Sequence, residues 1–236
     1  MTKKNIAIIL ARGGSKRLPK KNILDFGGKP MIAWTIDAAL NSETFDKVLV
    51  STDDKEIAKI SLKYGAEVPF LRDDNSDDHS PSSLATYTAL NQAEKYWNVK
   101  FDIVTQLMAN CPLRTANDIK DSINFFYENK FPAQLSCFKF GWMNPWWAFK
   151  YNDTNKIEHM FPEIKNKRSQ DLPNLYCPSG AIWLANRDLF YANKNFYIPG
   201  YNYKILDWTS SVDIDNNDDY IMAKFLLDFR LRKNKI

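Results

Sequence analysis

Ile6-Ala7-Ile8-Ile9-Leu10-Ala11-Arg12-Gly13-Gly14-Ser15-Lys16-Arg17-Leu18-Pro19-Lys20-Lys21-Asn22 is the stretch that decides the fold. Its first five residues are an unbroken aliphatic run that gives way, after Ala11 and Arg12, to a pair of glycines. A strand with water on one face alternates apolar and polar side chains, whereas a continuous run suits a strand covered on both faces by helices. The run therefore predicts a first strand in the middle of a mainly parallel sheet. The loop behind it lies at the strand's carboxyl end, where open α/β sheets take up ligands.

That loop, Arg12 to Asn22, combines Gly13 and Gly14 with five cations, Arg12, Lys16, Arg17, Lys20 and Lys21. Glycines let backbone N–H groups approach an anion closely, and arginine and lysine supply the opposing charge, so the loop suits several phosphates. It is neither a P-loop, which needs G-x-x-x-x-G-K-[ST], nor the G-x-G-x-x-G dinucleotide fingerprint. Taken on composition alone it also fits a charged surface turn, and its place behind a fully apolar strand is what argues for phosphates.

Working outward, strands and helices alternate. Met31 to Leu40 has helical composition and Lys47 to Ser51 reads as a second strand. Asp53-Asp54 would cap a helix carrying Ile57, Ile60 and Tyr64. Ser82 to Tyr96 and Ala116 to Asn129 read as helices, and Phe101 to Leu107, Ala133 to Phe138 and Ala181 to Ala185 as strands. Such alternation implies βαβ units. A helix is expected from Asn217 to Arg230, with Ile221, Phe225, Leu226 and Phe229 on one side and a frayed end beyond it. The alternation breaks between Phe138 and Tyr151, where Phe140, Trp142, Trp146, Trp147 and Phe149 follow neither period. Two readings of this stretch stand open: an excursion of the core, or an arm that buries its aromatic side chains against a second subunit.

Near the other end, Ser211-Val212-Asp213-Ile214-Asp215 places two carboxylates two residues apart, on one side of an extended segment. They repel each other unless a cation lies between them. Magnesium, which takes one or two carboxylates and fills its shell with water and phosphate oxygens, meets that demand. A helix cap before Asn217 is the plainer alternative, although Asp218 and Asp219 are better placed for it.

The whole composition limits the functional classes. With 236 residues, 44% hydrophobic and 25% charged, the chain is long enough for one well-packed domain. A net charge of +4 without a basic tract argues against a nucleic-acid partner. The three separated cysteines form no C-x-x-C pair and read as reduced thiols. The apolar run near the N-terminus is too short for a signal peptide or a membrane span, so the expectation is a cytoplasmic protein with no membrane partner. His79, in an acidic loop, and His159, in the aromatic stretch, are both expected at the surface; neither suits a general base.

Leu10-Ala11-Arg12-Gly13-Gly14-Ser15-Lys16, continued by Pro19-Lys20-Lys21-Asn22, resembles the signature of the CMP-sialic acid synthetases, or acylneuraminate cytidylyltransferases, with their legionaminic and pseudaminic acid branches. The resemblance continues in order through Val50-Ser51-Thr52-Asp53, Tyr64-Gly65-Ala66, Cys111-Pro112-Leu113-Arg114, Gln170-Asp171-Leu172-Pro173, Gly180-Ala181-Ile182 and Asp213-Ile214-Asp215. It implies a Rossmann-like three-layer α/β/α sandwich over residues 1–236, with residues 140–167 as a projecting arm through which a homodimer forms. The implied reaction is attack by the anomeric hydroxyl of a nonulosonic acid, an acidic nine-carbon sugar, on the α-phosphorus of CTP, with loss of pyrophosphate.

By the same resemblance, Arg12, Gly13, Ser15, Lys16 and Lys21 would hold the triphosphate, with Asn22 and Arg72 beside the nucleotide and Ser82 or Ser83 near the cytosine. Gln106, taken to end its strand, would lie with Arg168, Gln170 and Ser179 on the sugar side. Asp213 and Asp215 would hold Mg2+, and they share the catalytic role with Arg12 and Lys21. Two departures fall on the sugar side: Ser179-Gly180-Ala181 stands where many sialic-acid enzymes have Asn-Gly-Ala, and the arginine before Gln170 is at position 168. Arg168-Ser169-Gln170-Asp171-Leu172 looks closer to the pseudaminic branch and Arg12-Gly13-Gly14-Ser15-Lys16 to the sialic and legionaminic ones, so the acceptor stays open.

Overall fold

In the computed structural model, which describes residues 3–72 and 81–233, the aliphatic run is strand β1 (Asn5–Leu10). Its alternate side chains enter two different cores. Ile6, Ile8 and Leu10 pack on one face of the sheet, and Ala7 and Ile9 on the other. Both faces are dry, which is why the run has no polar member.

The chain continues through a short hairpin, β2 (Asp25–Phe26) and β3 (Lys29–Pro30), to helix α1 (Met31–Asn41), β4 (Lys47–Ser51), α2 (Lys55–Lys63) and α3 (Ser82–Trp97). There follow β5 (Ile103–Met108), α4 (Ala116–Asn129), β6 (Ala133–Lys139), the ribbon strands β7 (Phe149–Tyr151) and β8 (Ile157–His159), and β9 (Tyr176–Asn186). Helix α5 (Arg187–Asn193), β10 (Asn202–Ile205) and α6 (Asn217–Lys233) complete it. The main sheet has the order β10-β6-β9-β5-β1-β4. All its pairings are parallel except those of β9, which runs antiparallel to both β5 and β6. β1 is thus interior but one strand in from the β4 edge, rather than in the middle.

Helices α1, α2 and α4 cover one face through Ile32, Ile36, Ile57, Ile119, Ile123 and Phe126. Helices α3 and α5 cover the other through Ala85, Ala89, Leu90, Ala93 and Phe190. The result is the three-layer α/β/α sandwich that the resemblance implied, built from the βαβ units read from the alternation. Two helix starts follow their sequence signals: the Asp54 carboxylate accepts from Glu56 N and Ile57 N, and Thr115 with Asp118 forms a capping box for α4.

Helix α6 departs from expectation in two ways. It remains helical to Lys233, past the proposed fray at Arg230. It also turns Ala223 and Leu227 inward and leaves Ile221, Phe225 and Phe229 exposed, so the apolar stripe read from the sequence is not its buried face. Its start is capped by Asn216, whose Oδ1 accepts from Asp218 N and Asp219 N, while the Asp219 carboxylate returns to Asn216 N. Asp219 shares the cap as expected, whereas Asp218 supplies only its N–H; Asp215 N also donates to Asp219 Oδ2 at 2.9 Å, but neither the Asp213 nor the Asp215 carboxylate caps the helix.

The aromatic stretch leaves the sheet from the end of β6 and returns at the start of β9, and Phe140 N bonds to Leu175 O at 3.0 Å across its root. Trp146 packs edge-on to Phe161 and donates to Pro173 O, and Ile164 is buried. Trp142 is 89% exposed, and Phe149, Tyr151, Ile157 and Met160 are also open to solvent. The stretch is therefore a projecting two-stranded element, not an excursion of the core. His159 lies on its exposed strand, and His79 falls outside the described residues.

Candidate active site

Parallel strands that run one way deliver their carboxyl ends to one edge, and here that edge gathers the polar chemistry. β1 leads into the glycine loop, β4 into Asp53, β5 into Asn110, β6 into the arm and β10 into residues 206–216.

The loop after β1 is held from several sides. Ala11 N donates to Ser51 O, Gly13 N to the Asp53 carboxylate at 2.9 Å, and the Asn22 side chain to Arg12 O at 2.9 Å. A Cβ on Gly13 would lie 2.7 Å from Asp54 Oδ2 and 2.9 Å from Asp54 Cβ, so only glycine lets the loop cross the start of α2. Gly14 has open space where a Cβ would be. Asp53, grouped with the helix cap in the sequence, is instead the anchor of this loop. Asn22 is buried and shapes the loop through the Arg12 carbonyl. Ser15 is half-buried and Lys16 exposed.

The end of the loop meets the carboxylates. Lys21 Nζ donates to Asp215 Oδ1 at 2.9 Å and to Ile214 O at 2.8 Å, and Arg17 pairs with Asp215 Oδ2 at 2.8 Å. The Asn110 amide reaches the Asp213 carboxylate, Ile214 O at 3.2 Å and Asp215 Oδ1 at 3.4 Å, while Asn110 O accepts from Ile214 N. With Val212 and Ile214 buried, the two aspartates between and beyond them turn outward together, as spacing two requires. Asn110 was not singled out from the sequence, and Arg17 was read there only as one of the loop's cations, not as a partner of Asp215. The signal available for Asn110 was its place directly behind β5.

The two carboxyls differ electrostatically. Asp213 is pushed up to about 6, first by the protein crowded around its carboxylate and then by the neighbouring Asp215 charge. Burial also raises Asp215, but the Lys21 hydrogen bond and the Lys21 and Arg17 charges outweigh it and hold it below the usual carboxylate range. One carboxylate is thus neutralised by protein cations and its neighbour is not, a donor set that suits a further cation. No group of three or more His, Cys, Asp and Glu that could hold a metal exists among the described residues. An ion here would draw on these two carboxylates and take water and substrate oxygens for the rest, in the manner of magnesium.

A second cluster lies on the α3 face. Arg72 is buried, donates to Ser51 Oγ at 3.4 Å and has its basicity lowered, mainly by burial. Ser83 is buried with its hydroxyl 3.5 Å from Asn195 Oδ1; Pro81, without a side-chain bond, takes the cap position before Ser82. Gln106 is wholly buried inside β5, opposite Ile8 and Trp183, and does not end its strand. It bonds to Thr86 rather than to backbone groups at a strand end.

Between the clusters, β9 slips against β6 at Leu135/Ser136, leaving Gly180, Ala181 and Ile182 in a bulge. Arg114 donates to Ala181 O, Ser136 Oγ accepts from Ile182 N, and Trp183 Nε1 donates to Ser179 O. A Cβ on Gly180 would meet Met108 Cγ at 2.9 Å. The Ser179 hydroxyl is drawn into this bulge, 3.0 Å from Ser136 Oγ. Arg168 lies apart at the base of the arm, exposed and forked onto Asp171 at 2.7 and 3.1 Å, with Gln170 exposed beside it.

The family profile described as cytidylyltransferase matches residues 6–221. The chain is 39% identical over 227 residues to a pseudaminic acid cytidylyltransferase of Campylobacter jejuni, covering 94% of this chain and 96% of that protein. It is 31% identical over 232 residues to a CMP-N,N'-diacetyllegionaminic acid synthase of Legionella pneumophila, covering 94% and 96%. Among solved structures, a CMP:2-keto-3-deoxy-manno-octonic acid synthetase complexed with CTP superposes with a TM-score of 0.71 at 19% identity, covering 96% of this chain and 99% of the other. That likeness is one of fold.

Proposed function

The chain belongs to the cytidylyltransferase family, and from that premise we propose that it transfers CMP from CTP to the anomeric hydroxyl of a nonulosonic acid, releasing pyrophosphate. The observation that carries this reading is the meeting of the cationic glycine loop with Asp213 and Asp215 on one sheet edge. A phosphate-binding loop alone would serve any anion. Joined to a paired carboxylate site, it becomes machinery for phosphoryl chemistry.

The roles follow from position. Arg12, Gly13, Ser15 and Lys16 hold the triphosphate, whose bulk of negative charge makes positioning and neutralisation most of the work. Lys21 sits where the loop touches Asp215 and, with Arg12, stabilises the charge that builds on the phosphorus and the departing pyrophosphate. Asn22 keeps the loop in shape, Arg72 borders the nucleotide, and Ser82 and Ser83 at the start of α3 face the cytosine. Gln106, Arg168, Gln170 and Ser179 serve the acceptor side. Asp213 and Asp215 hold Mg2+, which when bound supplies charge neutralisation at the phosphate and acidifies the attacking hydroxyl.

The proposed setting is the cytoplasm, where CTP is available; separately, no helix among the described residues is long and apolar enough to cross a membrane. The exposed aromatic side chains of the arm make a homodimer contact, since so many are costly to leave in water. Among acceptors, pseudaminic acid ranks first, because a relative of that name is 39% identical and the Arg168-Ser169-Gln170-Asp171-Leu172 order agrees with it.

The test is pyrophosphate release from CTP against a panel of pseudaminic, legionaminic, sialic and octulosonic acids, with and without EDTA. Release with at least one nine-carbon acid, abolished by EDTA, is expected. CTP binding without turnover of any acid would overturn the proposal.

A further inference from the structure

Gln106 presents an unusual arrangement for the middle of a strand. Its Oε1 accepts from the Thr86 hydroxyl at 2.7 Å, and its Nε2 has no hydrogen-bond partner although the side chain is wholly buried. Native cores leave few buried donors unsatisfied, because each costs most of its lost hydration. An open amide donor beside a binding edge points to an acceptor atom that arrives with a ligand. The layer it occupies is not sealed: Trp183, opposite Gln106 on β9, is only partly covered, and Met108, two residues on at the strand's carboxyl end, is half-buried. Met108 is an adaptable side chain that can move aside.

Thr86 decides which end of the amide is offered. Its hydroxyl has one proton and two acceptors within reach, Gln106 Oε1 at 2.7 Å and Ser82 O at 3.0 Å. Given to Gln106, the proton fixes the amide with its oxygen towards Thr86 on α3 and leaves its N–H2 as the end without a partner. Resting on the proposed cytidylyl transfer, we infer that Thr86 is a positioning residue: it holds Gln106 so that an amide N–H2, not a carbonyl, meets the carboxylate of the acidic sugar. Without the hydroxyl the amide is free to turn over and set oxygen against oxygen.

The experiment uses the full chain with CTP and whichever acid the panel identifies, varying each substrate at saturation of the other. Thr86→Val keeps the shape and removes the proton. It should lower kcat/KM for the acid by about tenfold, roughly the weight of one hydrogen bond to a charged group, and leave the KM for CTP within about twofold. Thr86→Ser restores the hydroxyl and should return kcat/KM for the acid to near wild type. Gln106→Glu replaces the donor by a charge of the substrate's own sign and should abolish use of the acid while CTP still binds; it tests the contact between amide and carboxylate on which the role of Thr86 depends, and Thr86→Ala replaces Thr86→Val if that variant folds poorly. The inference is overturned if Thr86→Val changes only the Tm, if both substrates suffer equally, if Thr86→Ser behaves like Thr86→Val, or if Gln106→Glu turns over the acid normally. A wild-type protein that releases no pyrophosphate with any acid sinks the functional reading itself, and the inference with it.

Discussion

Replacing Lys21 by methionine, a chain of similar length without charge, removes two hydrogen bonds at once: 2.9 Å to Asp215 Oδ1 and 2.8 Å to Ile214 O. A bond to a charged group contributes roughly 1.5–3 kcal/mol and one to a neutral carbonyl roughly 0.5–1.5 kcal/mol. The Lys21 side chain is 13% exposed, but Asp215 is 34% exposed and keeps Arg17 at 2.8 Å, so screening and the surviving partner favour the low ends. The stability loss is then about 2 kcal/mol, which for a domain of this size lowers the Tm by about 4–8 °C. Turnover should fall further, about 100- to 1,000-fold, because in the proposed transfer the ammonium would also face charge that develops in the transition state. Thermal unfolding gives the first quantity and pyrophosphate release at saturating CTP and acid, well below the variant's Tm, gives the second. Wild-type turnover under those conditions would reduce Lys21 to a strut, and an unchanged Tm would show that its bonds to the 214–215 segment carry no weight.

Three other outcomes follow from the same geometry. Asp213→Asn and Asp215→Ala should each cut turnover by orders of magnitude; Asp213→Asn removes a like charge and should melt no earlier than wild type, and EDTA should mimic both in activity until magnesium is returned in excess. Gly13→Ala puts a methyl group against Asp54 and displaces the loop, so the KM for CTP should rise about tenfold or more while circular dichroism is unchanged. Trp142→Ser with Phe149→Ser should convert a dimer, measured by light scattering after size exclusion, to monomer; a wild-type protein that is already monomeric would count against the arm as an interface.

The sequence made the sheet legible where physics leaves one answer. An aliphatic run such as β1 has no alternative to burial on both faces, and Asp54 is a cap whose partners lie two and three residues away. Legibility failed where the outcome depends on contacts distant in sequence. Asp53 binds Gly13 across 40 positions, and Asn110 meets the aspartates across more than 100. No local period announces either. Helix α6 failed for a different reason: with Ile221, Phe225 and Phe229 on one side and Ala223, Leu226 and Leu227 on the other, its pattern offers two apolar faces, and the smaller one is buried because it fits beneath Phe26 and Met31. Gln106 could be named from resemblance, but not its orphaned amide.

The reversal of β9 joins the arm to the site. Were β9 parallel to its neighbours, the chain leaving β6 would have to cross to the far edge before entering it, and an insertion between the two could lie anywhere along that path. Because β9 runs antiparallel, with Tyr176 opposite Lys139, the segment leaves and re-enters the sheet at the same edge that carries the glycine loop, Asn110 and the aspartate pair. The bulge at Gly180 to Ile182 then brings that entering strand against Met108, at the mouth of β5. Arg168 and Gln170 ride on the returning limb of the arm, and Ser179 stands three residues inside the strand it feeds. The residues proposed for the acceptor side therefore share a mechanical root with the exposed aromatic surface. A partner that clamps the arm would fix their position as well, so dilution below the dimer's dissociation constant should raise the KM for the acid before it affects that for CTP; parallel loss of both would place the arm's influence elsewhere.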